Sequence, residues 1–202
     1  QAVLALAGTD AWIVANFKET QLARMKPGQE VELEIDADLK WELLTGLVVA
    51  GRKGEADIDA ALAADNTANG QKFAAAARAA LPTASDKLAM WKQLTETEEL
   101  SNTLINSASL AFGRVNDTAL LEPFADLYLA NAERIWDERS YHIAAYLLNN
   151  LYPIQLANAS LAEKTRALIE TDSIKAKPAL RRILIENLAA LERGLTAQAK
   201  DA

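Results

Sequence analysis

Two patterns of apolar and polar residues divide this chain of 202 residues near residue 37. In the first part, residues 11–17 are rich in β-branched and aromatic side chains, and residues 29–36 alternate polar and apolar with a period of two. Between them, residues 19–25 fit two helical turns that end at Pro27-Gly28. The pattern therefore predicts a short strand-helix-strand segment.

From residue 38 to the end, apolar residues recur with helical spacing. Asp38 is the predicted N-cap of the first helix, and Gly51 is its predicted stop. The stripe predicted to face the core of this helix consists of Leu39, Leu43, Leu47 and Val48. In the second helix, Ile58 and Leu62 are predicted to face inward.

The same periodicity predicts about nine helices, over residues 38–50, 55–65, 68–80, 84–94, 98–112, 118–129, 138–151, 161–170 and 178–200. The turns between them are short and polar, so neighbouring helices are expected to be antiparallel. A series of such pairs builds a stack of the HEAT or armadillo type, although the sequence has no clean repeat period. The expected fold class is mainly α.

Composition narrows the classes of partner and compartment. The net charge of −7 argues against a nucleic acid or an anionic membrane as partner, because both favour clusters of Lys and Arg. The absence of cysteine excludes disulfides and Cys-based zinc sites and suits a reducing cytoplasm, which is the expected location. Apolar runs fall short of the roughly 20 residues that span a bilayer. The first residues include no initiator Met and no basic signal region, which indicates a piece of a longer protein.

Few residues of this chain are candidates for chemistry. His142 is the only histidine, so a zinc-binding His-Glu-x-x-His helix cannot exist here. We expect His142 to be a partly buried helix residue, and a general base without partners is the alternative. No catalytic, cofactor-binding or metal-binding residue is predicted.

Several other clusters have structural explanations. Two groups of carboxylates are predicted to lie at helix N-termini, where they complement the helix dipole: Glu96, Glu98 and Glu99, and Glu55, Asp57 and Asp59. The segment from Gly51 to Gly54 lacks the spacing of a phosphate-binding loop and is predicted to be an inter-helix turn. Trp41, Trp91 and Trp136 are predicted to pack in the core or between helices, with a ligand role as the alternative.

Three arginines are candidate contacts for a peptide carboxylate, namely Arg139, Arg181 and Arg182. A guanidinium group binds a carboxylate through two parallel hydrogen bonds, which makes arginine the preferred residue for this task. The alternative is that these side chains form ion pairs within the domain, with Glu186 or Asp137 as partners.

Residues from Asp38 onward resemble the C-terminal helical domain of the aminopeptidase N family of zinc metallopeptidases (gluzincins), in its actinobacterial form. The resemblance rests on five blocks in the family's order, Asp38–Leu44, Gly54–Ala60, Glu99–Asn102, Trp136–Ser140 and Ala179–Arg182. It implies a helical bowl that covers the zinc-bearing domain of the same polypeptide. The family's Gly-x-Met-Glu-Asn loop and His-Glu-x-x-His helix have no counterpart here, so no catalytic residue is carried over.

The first 36 residues resemble instead a β-barrel segment of membrane-fusion adaptors of efflux pumps, of the hemolysin-secretion type. The matching residues are Ala11–Leu22, Met25–Gln29 and Val31–Asp36. The membrane anchor and coiled-coil hairpin of those adaptors are absent. The two resemblances predict a chimera of residues 1–37 and 38–202, joined near Asp36-Ala37-Asp38, whether engineered, a gene fusion or an assembly artefact.

The function these resemblances imply is that of a non-catalytic accessory domain of a zinc aminopeptidase, in an enzyme of proteolysis. The expected partner is the catalytic domain of the parent enzyme, with the peptide substrate contacted indirectly. Zinc belongs to the parent family and not to this chain. The alternative is a free-standing helical-repeat scaffold that binds a peptide or protein in its concave face.

Overall fold

The chain divides into two compact units, Gln1–Ile35 and Asp36–Ala202. In the computed structural model, the backbone is described for residues 3–7, 10–14 and 36–201, and the side chains for residues 36–200. The described part of the first unit is an antiparallel pair of strands, β1 (Val3–Ala7) and β2 (Asp10–Val14).

The sequence predictions for the first unit overlap the described residues only in part. The strand predicted over residues 11–17 coincides with β2 from Ala11 to Val14. Residues 15–17, the helix predicted over 19–25 and the strand predicted over 29–35 lie outside the described residues. Those calls remain predictions.

The described part of the second unit is helical and contains ten α-helices. They are α1 (Ala37–Val49), α2 (Glu55–Ala64), α3 (Ala68–Ala79), α4 (Ala84–Glu96), α5 (Asn102–Phe112), α6 (Glu122–Glu138), α7 (Tyr141–Asn150), α8 (Ala159–Ile169), α9 (Asp172–Lys175) and α10 (Pro178–Asp201). Two 3-10 turns, Thr118–Leu121 and Ile154–Leu156, precede α6 and α8. The second unit is therefore mainly α, as predicted.

The N-cap of helix α1 lies two residues earlier than predicted, and the face that the helix buries differs in part from the predicted stripe. Its N-cap is Asp36, whose Oδ1 accepts a hydrogen bond from the backbone N–H of Leu39 at 2.7 Å. The predicted stripe is wrong for Leu39 and Leu47, which are 41% and 43% exposed, and confirmed for Val48, which is fully buried. The residues that α1 buries are Trp41, Thr45 and Val48.

The turn that follows α1 matches the prediction. Gly51 has a φ of 67°, a left-handed conformation that glycine adopts without steric cost, and residues 51–54 connect α1 to α2. In α2, Ile58 is fully buried and Leu62 packs against the same cluster. The inward positions predicted for α2 are confirmed.

The predicted break between residues 129 and 138 is wrong. Helix α6 runs without interruption from Glu122 to Glu138, and α7 begins at Tyr141. Pro123 lies in the first turn of α6, where its missing N–H has no helical acceptor to lose. Helix α5 also begins later than predicted, at Asn102, because the Ser101 side chain caps its N-terminus.

The helices pack mainly with their second neighbours along the chain. Helices α1, α3, α5 and α7 form a row in which each contacts the next, and α10 continues the row from α7. The other helices lie beside this row: α2 contacts α3, α4 contacts α3 and α5, and α6 contacts α7 and α8. Whether this row is a HEAT- or armadillo-like stack stays a prediction.

Two apolar clusters hold the second unit together. The larger includes Trp91, Phe112 and Phe124, with ring centroids of Phe112 and Phe124 4.9 Å apart in an edge-to-face arrangement. The smaller joins α1, α2 and α3 around Trp41. Trp136 is half-buried against the larger cluster. The prediction that the three tryptophans serve packing is therefore confirmed.

Candidate functional site

Arg139 binds the C-terminal end of α4. Its Nη2 donates to the carbonyl oxygen of Thr97 at 2.5 Å, and its Nη1 lies 3.9 Å from Glu98. On the same side, Arg134 Nη1 donates to the carbonyl oxygen of Thr95 at 3.2 Å. The last carbonyls of a helix have no partner within the helix and carry partial negative charge. The two guanidinium groups of α6 and its C-cap therefore serve as a cap for α4.

Arg181 and Arg182 are also engaged within the domain. Arg181 Nε donates to the carbonyl oxygen of Ile169 at 3.4 Å, and its Nη2 donates to Glu170 at 3.2 Å, at the C-terminal end of α8. Arg182 Nε donates to Glu186 Oε1 at 2.7 Å, four residues along α10. The alternative of an ion pair with Glu186 is thus the arrangement in the structure.

The three candidate arginines do not form one described site. Arg181 and Arg182 line the same open surface depression at the start of α10, and Arg139 is not among the described residues that line it. Asp137, the other suggested partner, pairs with Lys177 instead. A carboxylate-binding role for the three arginines remains a prediction.

His142 is exposed in the first turn of α7, so the expectation of a partly buried histidine is wrong. Its imidazole ring lies beside the ring of Tyr141, with centroids 5.7 Å apart. Among the described residues, no group of three or more His, Asp and Glu side chains is arranged to hold a metal ion.

The two carboxylate groups occupy different places from each other. Glu55 and Asp57 lie in the first turn of α2, and Asp57 accepts from the backbone N–H of Gly54 at 3.0 Å, as expected for a helix N-terminus. The prediction that Glu96, Glu98 and Glu99 lie at a helix N-terminus is wrong. Glu96 is the last residue of α4, and Glu98 precedes the Ser101 cap of α5. This region is a helix C-terminus, which explains why arginines approach it.

Sequence reasoning missed a fully buried cation, Lys87 in α4. Its Nζ donates to the carbonyl oxygens of Ala79 and Phe112, at 2.7 and 2.6 Å, and lies 5.1 Å from the centre of the Phe112 ring. These carbonyls belong to the last residues of α3 and α5. Burial lowers the pKa of Lys87 to about 8, against the opposing effect of the Asp86 carboxylate. Lys87 thus ties three helices together.

A cleft between α2 and α4 was also missed. It has a volume of about 420 Å³ and is lined by residues from the end of α2 to the middle of α5. A second depression of about 430 Å³ adjoins it, with Arg78, Met90 and Gln93 lining both. No motif marks the lining residues of the first cleft in the sequence, because they come from four helices and two turns.

No helix in the described ranges combines the length and the hydropathy that crossing a bilayer requires. The described part of the second unit is thus a helical domain. Most of its Lys and Arg side chains that have a binding partner contact carboxylates or helix ends of the same domain. This fold defines an all-α domain.

Comparison with known proteins gives the family. A model of the ERAP1-like C-terminal domain family matches residues 1–193, and the chain belongs to that family. The chain is also similar to aminopeptidase N of Streptomyces lividans, with 32% identity over 170 residues. That match covers 84% of this chain and 20% of the relative, so the chain spans about a fifth of the relative's length.

Proposed function

We propose that this chain is a non-catalytic C-terminal accessory domain of a zinc aminopeptidase. The observation that carries the proposal is the similarity to aminopeptidase N, which extends over 84% of the chain. In the parent enzyme, the domain would enclose the substrate chamber and restrict the access of peptides. Its direct partner would be the catalytic domain of the same polypeptide, and zinc would belong to that partner.

The arrangement of the helices supports an enclosing role. The helices contact their second neighbours along the chain, and we propose that this row forms a wall, as in a HEAT- or armadillo-like stack. Ion pairs across that row, such as Arg114 with Glu42 at 2.6 Å between α1 and the end of α5, stabilise the relative positions of its helices. A wall of this kind limits access to a neighbouring site without taking part in its chemistry.

Two further proposals accompany this function. A boundary between a chimeric N-terminal segment and the helical domain is proposed near residue 37, close to the division of the chain into units at Ile35 and Asp36; the family match over residues 1–193 extends across it. The compartment is the cytoplasm, which agrees with the absence of cysteine.

The isolated chain is expected to have no peptidase activity, because the described residues include no metal-binding group. The measurement is turnover of aminoacyl chromogenic substrates by the purified chain in the presence of zinc, compared with a heat-denatured control. Zinc-dependent turnover that co-purifies with the chain and disappears with a chelator would contradict the proposed function.

A further inference from the structure

The first turn of α3 contains the only Asn-Gly pair in the sequence, Asn69 and Gly70. In such a pair the backbone nitrogen that follows the asparagine can attack the side-chain amide, because glycine has no side chain to hinder the approach. Asn69 is exposed, so water reaches its amide group. The reactants of spontaneous deamidation are therefore present together at the surface of the domain.

The packing of this turn requires the glycine of the pair. Gly70 is buried, and a Cβ atom placed on it would overlap the backbone carbonyl oxygen of Asp65. A main-chain atom cannot move aside as the end of a flexible side chain can. A larger residue at position 70 would therefore displace the chain, and the fold keeps a glycine directly after Asn69.

The N-terminal cap of α3 opposes the reaction. The backbone N–H of Gly70 donates to Thr67 Oγ1 at 3.0 Å, and this hydroxyl in turn donates to Asp65 Oδ1 at 2.8 Å. The other carboxylate oxygen of Asp65 accepts from Trp41 Nε1 at 2.9 Å, which fixes the cap to α1. The nitrogen that would attack is thus held as a hydrogen-bond donor, and it is released only when this turn opens.

We propose that Asn69 is a site of spontaneous deamidation whose rate is set by the opening of the first turn of α3. In the open turn, the Gly70 nitrogen loses its proton and bonds to Cγ of Asn69, the bond from Cγ to Nδ2 breaks, and ammonia leaves with that proton. Water then hydrolyses the cyclic imide to aspartate or isoaspartate. The inference goes beyond the proposed function, because the reaction needs neither a catalytic domain nor a substrate.

The two products have opposite effects on α3. Aspartate at the second position of the helix places a negative charge near the positive end of the helix dipole, which stabilises the helix. Isoaspartate adds one CH₂ group to the main chain. The hydrogen bonds that Gly70 and Gln71 donate to Thr67 then lose their geometry. Isoaspartate therefore loosens the cap that Trp41 fixes to α1.

The test incubates the full chain, folded and in urea, at mildly alkaline pH. Peptide mapping by mass spectrometry measures deamidation at each asparagine, with fragmentation that distinguishes aspartate from isoaspartate. We expect Asn69 to react at least about tenfold faster in urea than in the folded chain, because the cap is absent in the unfolded state. Asn66 is the internal control: it is exposed in the same segment but precedes Thr67, and it should keep its amide.

Matched cap variants separate local opening from global unfolding. Thr67→Val removes the hydroxyl that holds Gly70 and should accelerate the reaction in the folded chain about fivefold, as the loss of one N-cap predicts. Thr83→Val removes the corresponding cap of α4, where Thr83 Oγ1 accepts from the N–H of Asp86 at 3.1 Å, and the rate at Asn69 should stay unchanged. Asn69→Gln should abolish the modification, because the longer side chain forms the corresponding ring far more slowly.

Retention of the Asn69 amide in urea, or equal rates in the folded and unfolded chain, would overturn the inference. Equal acceleration by Thr67→Val and Thr83→Val would also overturn it, because that result would mean that the reaction follows global unfolding. Thermal unfolding of each variant checks that the fold is retained, and the comparison of folded and urea-unfolded wild type needs no variant. Since no peptidase activity is measured, failure of this test leaves the proposed function standing, and failure of the proposed function leaves this test intact.

Discussion

At the scale of single residues, the second unit uses buried and half-buried cations to bind backbone carbonyls. Lys87, Arg134 and Arg139 each donate to carbonyl oxygens at the ends of helices. Lys87 shares a helical stripe with Trp91 and Leu94, both fully buried. That spacing of three and four residues is the one signal in the sequence that could have identified Lys87 as buried.

Lys87 is expected to add to the stability of the protein as the pH rises from about 8 to 10.5. Its pKa is about 8 in the folded state and has the ordinary value of 10.5 in the unfolded chain. Between these two values the unfolded chain binds more protons, so the free energy of unfolding increases with pH, by about 3 kcal/mol in total. The neutral amine keeps two N–H donors for its two carbonyl acceptors. Urea unfolding followed by circular dichroism at pH 7, 9 and 10 measures this increase.

The control for this prediction is the exposed lysine of the same helix, Lys92. Lys87→Met should remove the increase with pH and should destabilise the protein more at pH 10 than at pH 7. Lys92→Met should keep the wild-type profile. Parallel pH profiles for the wild type and Lys87→Met would show that Lys87 does not titrate in this range.

At the scale of elements, the ends of helices decide how neighbouring helices are joined. The C-terminal end of α4 receives Arg134 and Arg139, and the C-terminal end of α8 receives Arg181. In both cases a backbone carbonyl at the C-terminal end of a helix accepts a hydrogen bond from a guanidinium group outside that helix. The contacts of Arg134 and Arg139 join residues about 40 positions apart, and that of Arg181 joins residues 12 positions apart.

Arg139→Gln is expected to lower the free energy of unfolding by about 2 kcal/mol. Its side chain is only 11% exposed, and the hydrogen bond to the Thr97 carbonyl is charge-assisted. Arg182→Gln is the matched control, because Arg182 is 79% exposed and a solvent-exposed pair such as that with Glu186 contributes little to stability. Urea unfolding of both variants measures the difference. Equal effects would mean that the contact with α4 does not stabilise the domain.

The existence of most helices could be predicted from the sequence, because Gly51, Pro82 and the polar caps limit them. The predicted break in α6 was avoidable, since residues 130–137 favour helix as strongly as their neighbours and indicate one continuous helix. The buried face of α1, in contrast, could not be predicted. The helix itself carries apolar residues on every face, so periodicity does not distinguish the exposed Leu39 and Leu47 from the buried Trp41 and Val48.

The candidate site was the least predictable part. The three arginines were identified as residue types, but their actual acceptors are carbonyls or carboxylates of the same domain. The cleft residues come from separate helices, so only the packing of α2 to α5 brings them together. No local pattern in one sequence encodes that arrangement.

At the scale of the whole molecule, the second unit is expected to fold without the first. A chain that lacks residues 1–35 keeps Asp36, whose side chain caps α1. We expect this variant to retain the helical circular dichroism signal and a cooperative thermal transition. Removing residue 36 as well should cost about 1 kcal/mol, the usual effect of losing an N-cap. A non-cooperative transition in the 36–202 variant would mean that the two units share a core and that the proposed boundary is wrong.

The most direct test of the proposed function is a domain exchange in the aminopeptidase N of Streptomyces lividans. Residues 36–202 of this chain replace the matching segment of that enzyme, and kcat/KM is measured for an aminoacyl chromogenic substrate and for peptides of increasing length. A truncated enzyme without the segment is the control. The account predicts that the truncated enzyme loses its dependence on peptide length and that the exchange restores it. An exchanged enzyme that behaves like the truncated one would contradict the account.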